Sequence, residues 1–106
     1  MNEEIYKKIT IANKADKRKH MTISDKLVKL SEEVGEIGAA HLKERLLKPM
    51  APGETMNDVR NNKKEEYADA LIVIFDLILC DDYTFEEIME EIHKGIQKWH
   101  TKVQKI

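Results

Sequence analysis

Two pairs of carboxylates carry the chemistry that this sequence offers. Glu33 and Glu36 lie in Lys29-Leu30-Ser31-Glu32-Glu33-Val34-Gly35-Glu36, and Glu66 and Asp69 lie in Glu66-Tyr67-Ala68-Asp69. Both segments have a helical pattern, and i,i+3 spacing puts the two members of each pair on one side of their helix. Packing two such helices together gathers a charge of about −4, which is sustained only when cations neutralise it. Hard divalent ions, which take oxygen ligands, suit such a cluster. Taken alone, an acidic helix face is more often a solvated face, and a chain with 36% charged residues holds many such coincidences.

The elements that must position these groups are all helical. Ile5, Ile9 and Ala12 step at helical spacing and predict an amphipathic helix from Glu3 to about Asp16, ended by the basic run Lys14 to His20. Thr22 and Ser24 are cap candidates for a second helix running to about Leu47, with Leu27, Leu30, Val34, Ile37 and His41 on one stripe. On a helical wheel Glu33 sits about 80° from the centre of that stripe and Glu36 somewhat further round, so both flank the expected core. Pro49, Pro52 and Gly53 break the pattern, and residues 50–55 read as the one substantial loop.

Asn57 or Asp58 is expected to cap a third helix, from about Val59 to Cys80, on which Glu66 and Asp69 sit beside a stripe of Tyr67, Leu71, Ile74 and Ile78. Asp81 and Asp82 mark a turn, and Thr84 with Glu87 is a capping-box signature for a fourth helix from Phe85 to about Val103. There is no strand alternation and no internal repeat. The expectation is one all-α domain over residues 1–106, an antiparallel four-helix-bundle-like fold with both carboxylate pairs facing a groove at a helix seam.

With 106 residues, the chain buries only about two-thirds of its unfolded surface. Its third helix is polar from Asn57 to Glu66 and apolar on nearly every side from Tyr67 to Cys80, more than three short helices cover. Leu71, Ile74, Phe75 and Ile78 are therefore expected to meet a second subunit, in a homodimer or a dimer of dimers. A net charge of −2 offers no basic field for nucleic acid. The single cysteine, Cys80, forms no internal disulfide and suits a reducing cytoplasm. The first residues lack a basic-then-apolar pattern, and the longest apolar stretch, Ala70 to Cys80, is too short to span a membrane.

The segments 29–36 and 66–69, the latter leading into an apolar helix, resemble the paired motifs of the MazG-like, all-α nucleoside triphosphate pyrophosphohydrolases. The similarity covers roughly Ile23 to Ile78 in residues and the whole chain in helix order. It implies a MazG-type fold, completed here by homodimerisation, and Mg²⁺, replaceable by Mn²⁺, on Glu33, Glu36, Glu66 and Asp69. It implies cleavage of a (d)NTP between its α and β phosphates, possible nucleotide-pool housecleaning included. Two features depart from the family's pattern: Ile37 to Glu65 form a gap at its long end, and Lys94 and Lys98 are followed by Trp99 and His100 where members often place Asn and Arg.

Within that chemistry Glu32 is the candidate base that orients or deprotonates water. Lys29 is placed either to meet substrate phosphate or to pair with Glu33 one turn on. Lys94 and Lys98 form a basic edge suited to triphosphate oxygens, as do Arg60, Lys63 and Lys64, and Trp99 could stack on a base or close the core. Asp76, seven residues after Asp69, must be paired if buried: behind the metal site, or with a lysine or histidine.

Three alternatives compete. A phosphoribosyl-ATP pyrophosphohydrolase-like enzyme shares the fold and carboxylate logic. A non-enzymatic helical interaction module would leave the acidic faces solvated. Glu90 and His93 have the Glu-x-x-His spacing of di-iron bundles, which need two such motifs.

Overall fold

Three threonines punctuate the chain. Thr22, Thr55 and Thr84 each adopt extended backbone and accept a hydrogen bond from the amide three residues on, while the carboxylate at that position accepts from the threonine amide. These are reciprocal capping boxes, closed by Asp25, Asp58 and Glu87. The computed structural model describes residues 3–16 and 21–105 as four helices: α1 Glu3–Ala15, α2 Ile23–Glu44, α3 Met56–Cys80 and α4 Phe85–Gln104. No described residue is in a strand. Of the expected basic run, Lys17 to His20 lie outside the described residues.

Two boundaries differ from expectation. α3 starts at Met56, because Asp58 is not its cap but the partner of Thr55, the true cap. α2 stops at Glu44, where Leu46 at φ 60° lets the Leu47 amide reach back to the Leu42 carbonyl at 2.8 Å. Glu54 then ties down the loop, accepting from the Ala51 amide and from Lys43.

Polar clamps set the packing of α2 on α3. Near one end Lys26 meets Asp76 at 2.5 Å, and near the other Glu44 accepts from Arg60 at 2.8 Å and from Lys63 at 3.2 Å. Early residues of α2 thus meet late residues of α3, making the pair an antiparallel hairpin. α1 lies against the second half of α3, where Tyr6, Ile9 and Phe75 form a core extended by Ile78, Leu79 and Phe85.

α2 is rotated relative to its apolar stripe. Leu27 and Val34 are 53% and 56% exposed, whereas Glu33 is 8% exposed and Ala40 is buried, so the inward face runs through Lys26, Leu30, Glu33, Ile37 and Ala40. Phe75, expected at a subunit interface, is instead buried within the chain, edge-on to Tyr6 with ring centroids 5.7 Å apart. Tyr67, Leu71 and Ile74 do face solvent.

α4 is held only at its start. Phe85 packs beside Tyr6, whose hydroxyl donates to the Tyr83 carbonyl at 3.1 Å, but from Glu90 to Lys105 every described residue is exposed. The radius of gyration, 17.1 Å, exceeds the roughly 13 Å of a compact domain of this length. Among the described residues, no helix is long and apolar enough to cross a membrane.

Candidate metal centre

Between the two clamps, the antiparallel register brings the middle of α2 opposite the middle of α3. Glu33 from α2 and Glu66 and Asp69 from α3 each place a carboxylate oxygen so that all three lie within 4.8 Å of one another. The i,i+3 spacing on α3 aims Glu66 and Asp69 together, and the rotation of α2 that exposes Val34 turns Glu33 inward to meet them.

The electrostatics of the group are unfavourable for bare carboxylates. One oxygen of Glu33 lies 3.5 Å from the Lys29 ammonium, but its Oε2, like Glu66 Oε2, is buried and accepts no hydrogen bond among the described residues. An unpaired buried carboxylate oxygen is costly. Glu66 is pushed up to about 7, chiefly because a proton on it is shared with Glu36, then through burial and the charges of Glu36, Asp69 and Glu33. A donor set made only of carboxylate oxygens suits hard divalent ions rather than thiophilic ones. Glu33, Glu66 and Asp69 could together hold such an ion.

Of the four expected ligands, three converge and the fourth is not among them: Glu36 is exposed, one turn along α2, and acts on the group by raising the Glu66 pKa. Glu32 is exposed and makes no hydrogen bond or ion pair among the described residues. Lys29 takes the second of its two expected roles, as the partner of Glu33. Arg60 and Lys63 are occupied by Glu44, and Lys63 also contacts His41 Nδ1 at 3.0 Å.

Lys94, Lys98 and Trp99 are not brought to the carboxylates. They lie on the exposed part of α4, where Lys94 pairs with Glu91 at 3.2 Å and Trp99 is 71% exposed. The reason is the turn at Asp81 and Asp82, the latter at φ 62°, after which only the first turn or so of the helix, at Phe85, Ile88 and Met89, is partly buried. Trp99 therefore does not close this chain's core. Glu90 and His93 are exposed on the same helix, and no described carboxylate joins them in a metal-binding group.

Asp76 is the lysine's partner, not a group behind the metal site. It accepts from Lys26 and from the Asn13 amide, and Asn13 also donates to the Cys80 sulfur at 3.5 Å. Burial alone would lower the Lys26 pKa; hydrogen bonds to Asp76 and Cys80, with their charges, outweigh it and raise it. Sequence reasoning placed Asp76 but missed Asn13 and Lys26. The usable signal was register: Lys26 precedes Glu33 by the seven residues that separate Asp69 from Asp76, so antiparallel packing of the carboxylates aligns the second pair too.

Comparison of the chain with protein-family models, with curated proteins and with solved structures gives no match.

Proposed function

We propose that this chain is a Mg²⁺-dependent nucleoside triphosphate pyrophosphohydrolase of the MazG-like kind, acting as a homodimer. The observation that carries the reading is the convergence of Glu33, Glu66 and Asp69 across one helix seam, with two buried carboxylate oxygens that accept from no donor among the described residues.

In this reading Glu33, Glu66 and Asp69 hold the metal, with Glu36 as a further ligand. Bound there, Mg²⁺ supplies neutralisation of phosphate charge and a lowered pKa for a water. The rest falls to the chain's own side chains. Lys29 is half-exposed beside Glu33, where its ammonium can turn from that carboxylate to a phosphate oxygen. Glu32, exposed at the edge of the cluster, accepts the proton of the attacking water. Water adds to phosphorus, the bridge between the α and β phosphates breaks, and monophosphate and pyrophosphate leave.

The dimer belongs to the same reading. Leu27 and Val34 on α2, Leu71 and Ile74 on α3, and Ile92, Ile96 and Trp99 on α4 are large apolar side chains left in water. A second copy is the partner proposed to cover them. A panel of standard and modified (d)NTPs with Mg²⁺, scored for pyrophosphate against orthophosphate, tests the activity. Pyrophosphate as first product is expected; orthophosphate first, or no hydrolysis of any member, refutes the assignment.

A further inference from the structure

The apolar residues of α4 follow a heptad. Phe85, Met89, Ile92, Ile96, Trp99 and Val103 are spaced 4, 3, 4, 3 and 4 residues apart, so they alternate between the d and a core positions of a coiled coil. The first two are half-buried against their own chain, but Ile92, Ile96, Trp99 and Val103 are 42%, 54%, 71% and 53% exposed. Between Glu90 and Gln104 these four are the only large apolar residues. A helix lying on its own core shows a broader stripe, whereas a narrow a/d seam is the face that meets one other helix.

Charge on the same helix is divided end to end. Glu86, Glu87, Glu90 and Glu91 fill the first half and Lys94, Lys98 and Lys102 the second, with Lys94 and Glu91 paired where the halves meet. Complementing the helix dipole accounts for charges in the first and last turns alone. Glu86 with Glu90, Glu87 with Glu91, Lys94 with Lys98 and Lys98 with Lys102 are like charges four residues apart, which destabilise a helix standing by itself. A neighbour running the opposite way offsets this by setting an acidic half beside a basic one, and a parallel neighbour makes it worse. The four glutamates also repel an anionic lipid surface, so the partner is a helix.

Side-chain sizes favour the same direction. In an antiparallel pair each a position faces a d position, and full overlap puts Phe85 opposite the partner's Val103, Trp99 opposite the partner's Met89 and Ile92 opposite the partner's Ile96. Large residues then face smaller or equal ones, as close packing requires, and the methionine sulfur meets the indole. A parallel pair would stack Trp99 on Trp99 and Phe85 on Phe85. Gly95, where an added Cβ would meet nothing in this chain, lies beside the midpoint, where it lets two backbones approach.

We infer that α4 pairs with α4 of a second copy as a short antiparallel coiled coil centred near Lys94, and so sets how the two chains face each other. The inference rests on the homodimer of the proposed function and is independent of its hydrolytic chemistry. At just under three heptads the seam is shorter than the roughly three to four that mark a self-sufficient coiled coil, so it acts together with the wet faces of α2 and α3.

The test is a spin label on Gln104→Cys in a Cys80→Ser chain, with label-to-label distances measured in the dimer. Antiparallel pairing sets the labels about 30 Å or more apart, twice the rise of ten residues from the midpoint, whereas parallel pairing holds them within about 20 Å. Ile96→Asp is expected to weaken association about tenfold or more, and Gln97→Asp, which adds the same charge to the outer face, to leave it unchanged. The emission of Trp99, the one tryptophan, should move to shorter wavelength as protein concentration rises. A dimer with the short distance, or one indifferent to Ile96→Asp, would overturn the α4 pairing while leaving the homodimer in place. A monomer at every concentration would overturn both, whether or not the chain hydrolyses triphosphates.

Discussion

Replacing Glu33 with Gln separates a metal ligand from a structural residue, because the two roles predict stability changes of opposite sign. The substitution keeps volume and deletes a charge within 4.8 Å of oxygens of Glu66 and Asp69. At an effective dielectric of about 20, two charges at that distance repel by about 3 kcal/mol. Asp69 is exposed and Glu66 is partly protonated near neutral pH, so the relief is smaller than two such pairs imply. Loss of the half-exposed Lys29 pair opposes it by at most about 1 kcal/mol. The new amide can also donate to one of the orphaned carboxylate oxygens. The net is a gain of about 1 to 2 kcal/mol for metal-free protein at pH 8, seen as a melting temperature higher by about 5–10 °C. The assay is thermal unfolding in chelator and again in saturating Mg²⁺, alongside pyrophosphate release. Wild type should overtake the variant in Mg²⁺, since only the wild type holds the ion, and the variant should be inactive. A variant that melts lower than wild type in chelator and loses activity in proportion would make Glu33 a structural residue and refute the reasoning.

Mg²⁺ should raise the wild-type melting temperature progressively, by about 2.7 kcal/mol of stability at a hundred times its dissociation constant. Mn²⁺ should do the same, and a Glu33→Gln/Glu66→Gln chain should show neither shift. Glu66 has a folded pKa raised from 4.5 to about 7, so the folded state holds a proton that the unfolded chain has released. Metal-free stability should therefore fall as pH rises from about 4.5 through 7, while apparent Mg²⁺ affinity rises over the same range; chemical denaturation and metal titration at stepped pH check both, and a flat profile would contradict the shared proton. Leu71→Asp should dissociate the dimer with little loss of helicity in the monomer, whereas Phe75→Ala should cost about 3 kcal/mol or more as a cavity in the intrachain core. Sedimentation on dilution and denaturant unfolding distinguish them, and a Leu71→Asp chain that stays dimeric would place the interface elsewhere.

Two short-range rules made the carboxylates legible, though unequally. Thr22 was readable as the cap of α2, whereas Thr55, the cap of α3, was passed over for Asn57 or Asp58, and i,i+3 spacing fixed which carboxylates face together. Neither rule reports how far a helix is rolled about its axis. The usual guide to roll is the apolar stripe, and on α2 that guide pointed to Leu27 and Val34, which are exposed, with Glu33 buried in their place. A stripe marks the face that is dry in the assembled protein, whichever chain dries it. The roll of α2 is set by Lys26 on Asp76 and by Glu44 on Arg60 and Lys63, contacts between residues far apart in sequence that no local periodicity encodes. α3 misled in the converse way: apolar on nearly all sides, it gave no means to tell Phe75, which meets Tyr6, from Leu71 and Ile74, which meet water. α4 shows the limit most plainly. Its Thr84 cap was readable, but the direction it takes after Asp82 depends on the few half-buried residues at its start, Phe85, Ile88 and Met89, and so the placement of Lys94, Lys98 and Trp99 lay outside what a pattern within the helix could convey. The apolar residues that the single chain leaves wet are those for which intrachain burial and sequence pattern disagree. That disagreement is the observation on which the proposed second copy rests.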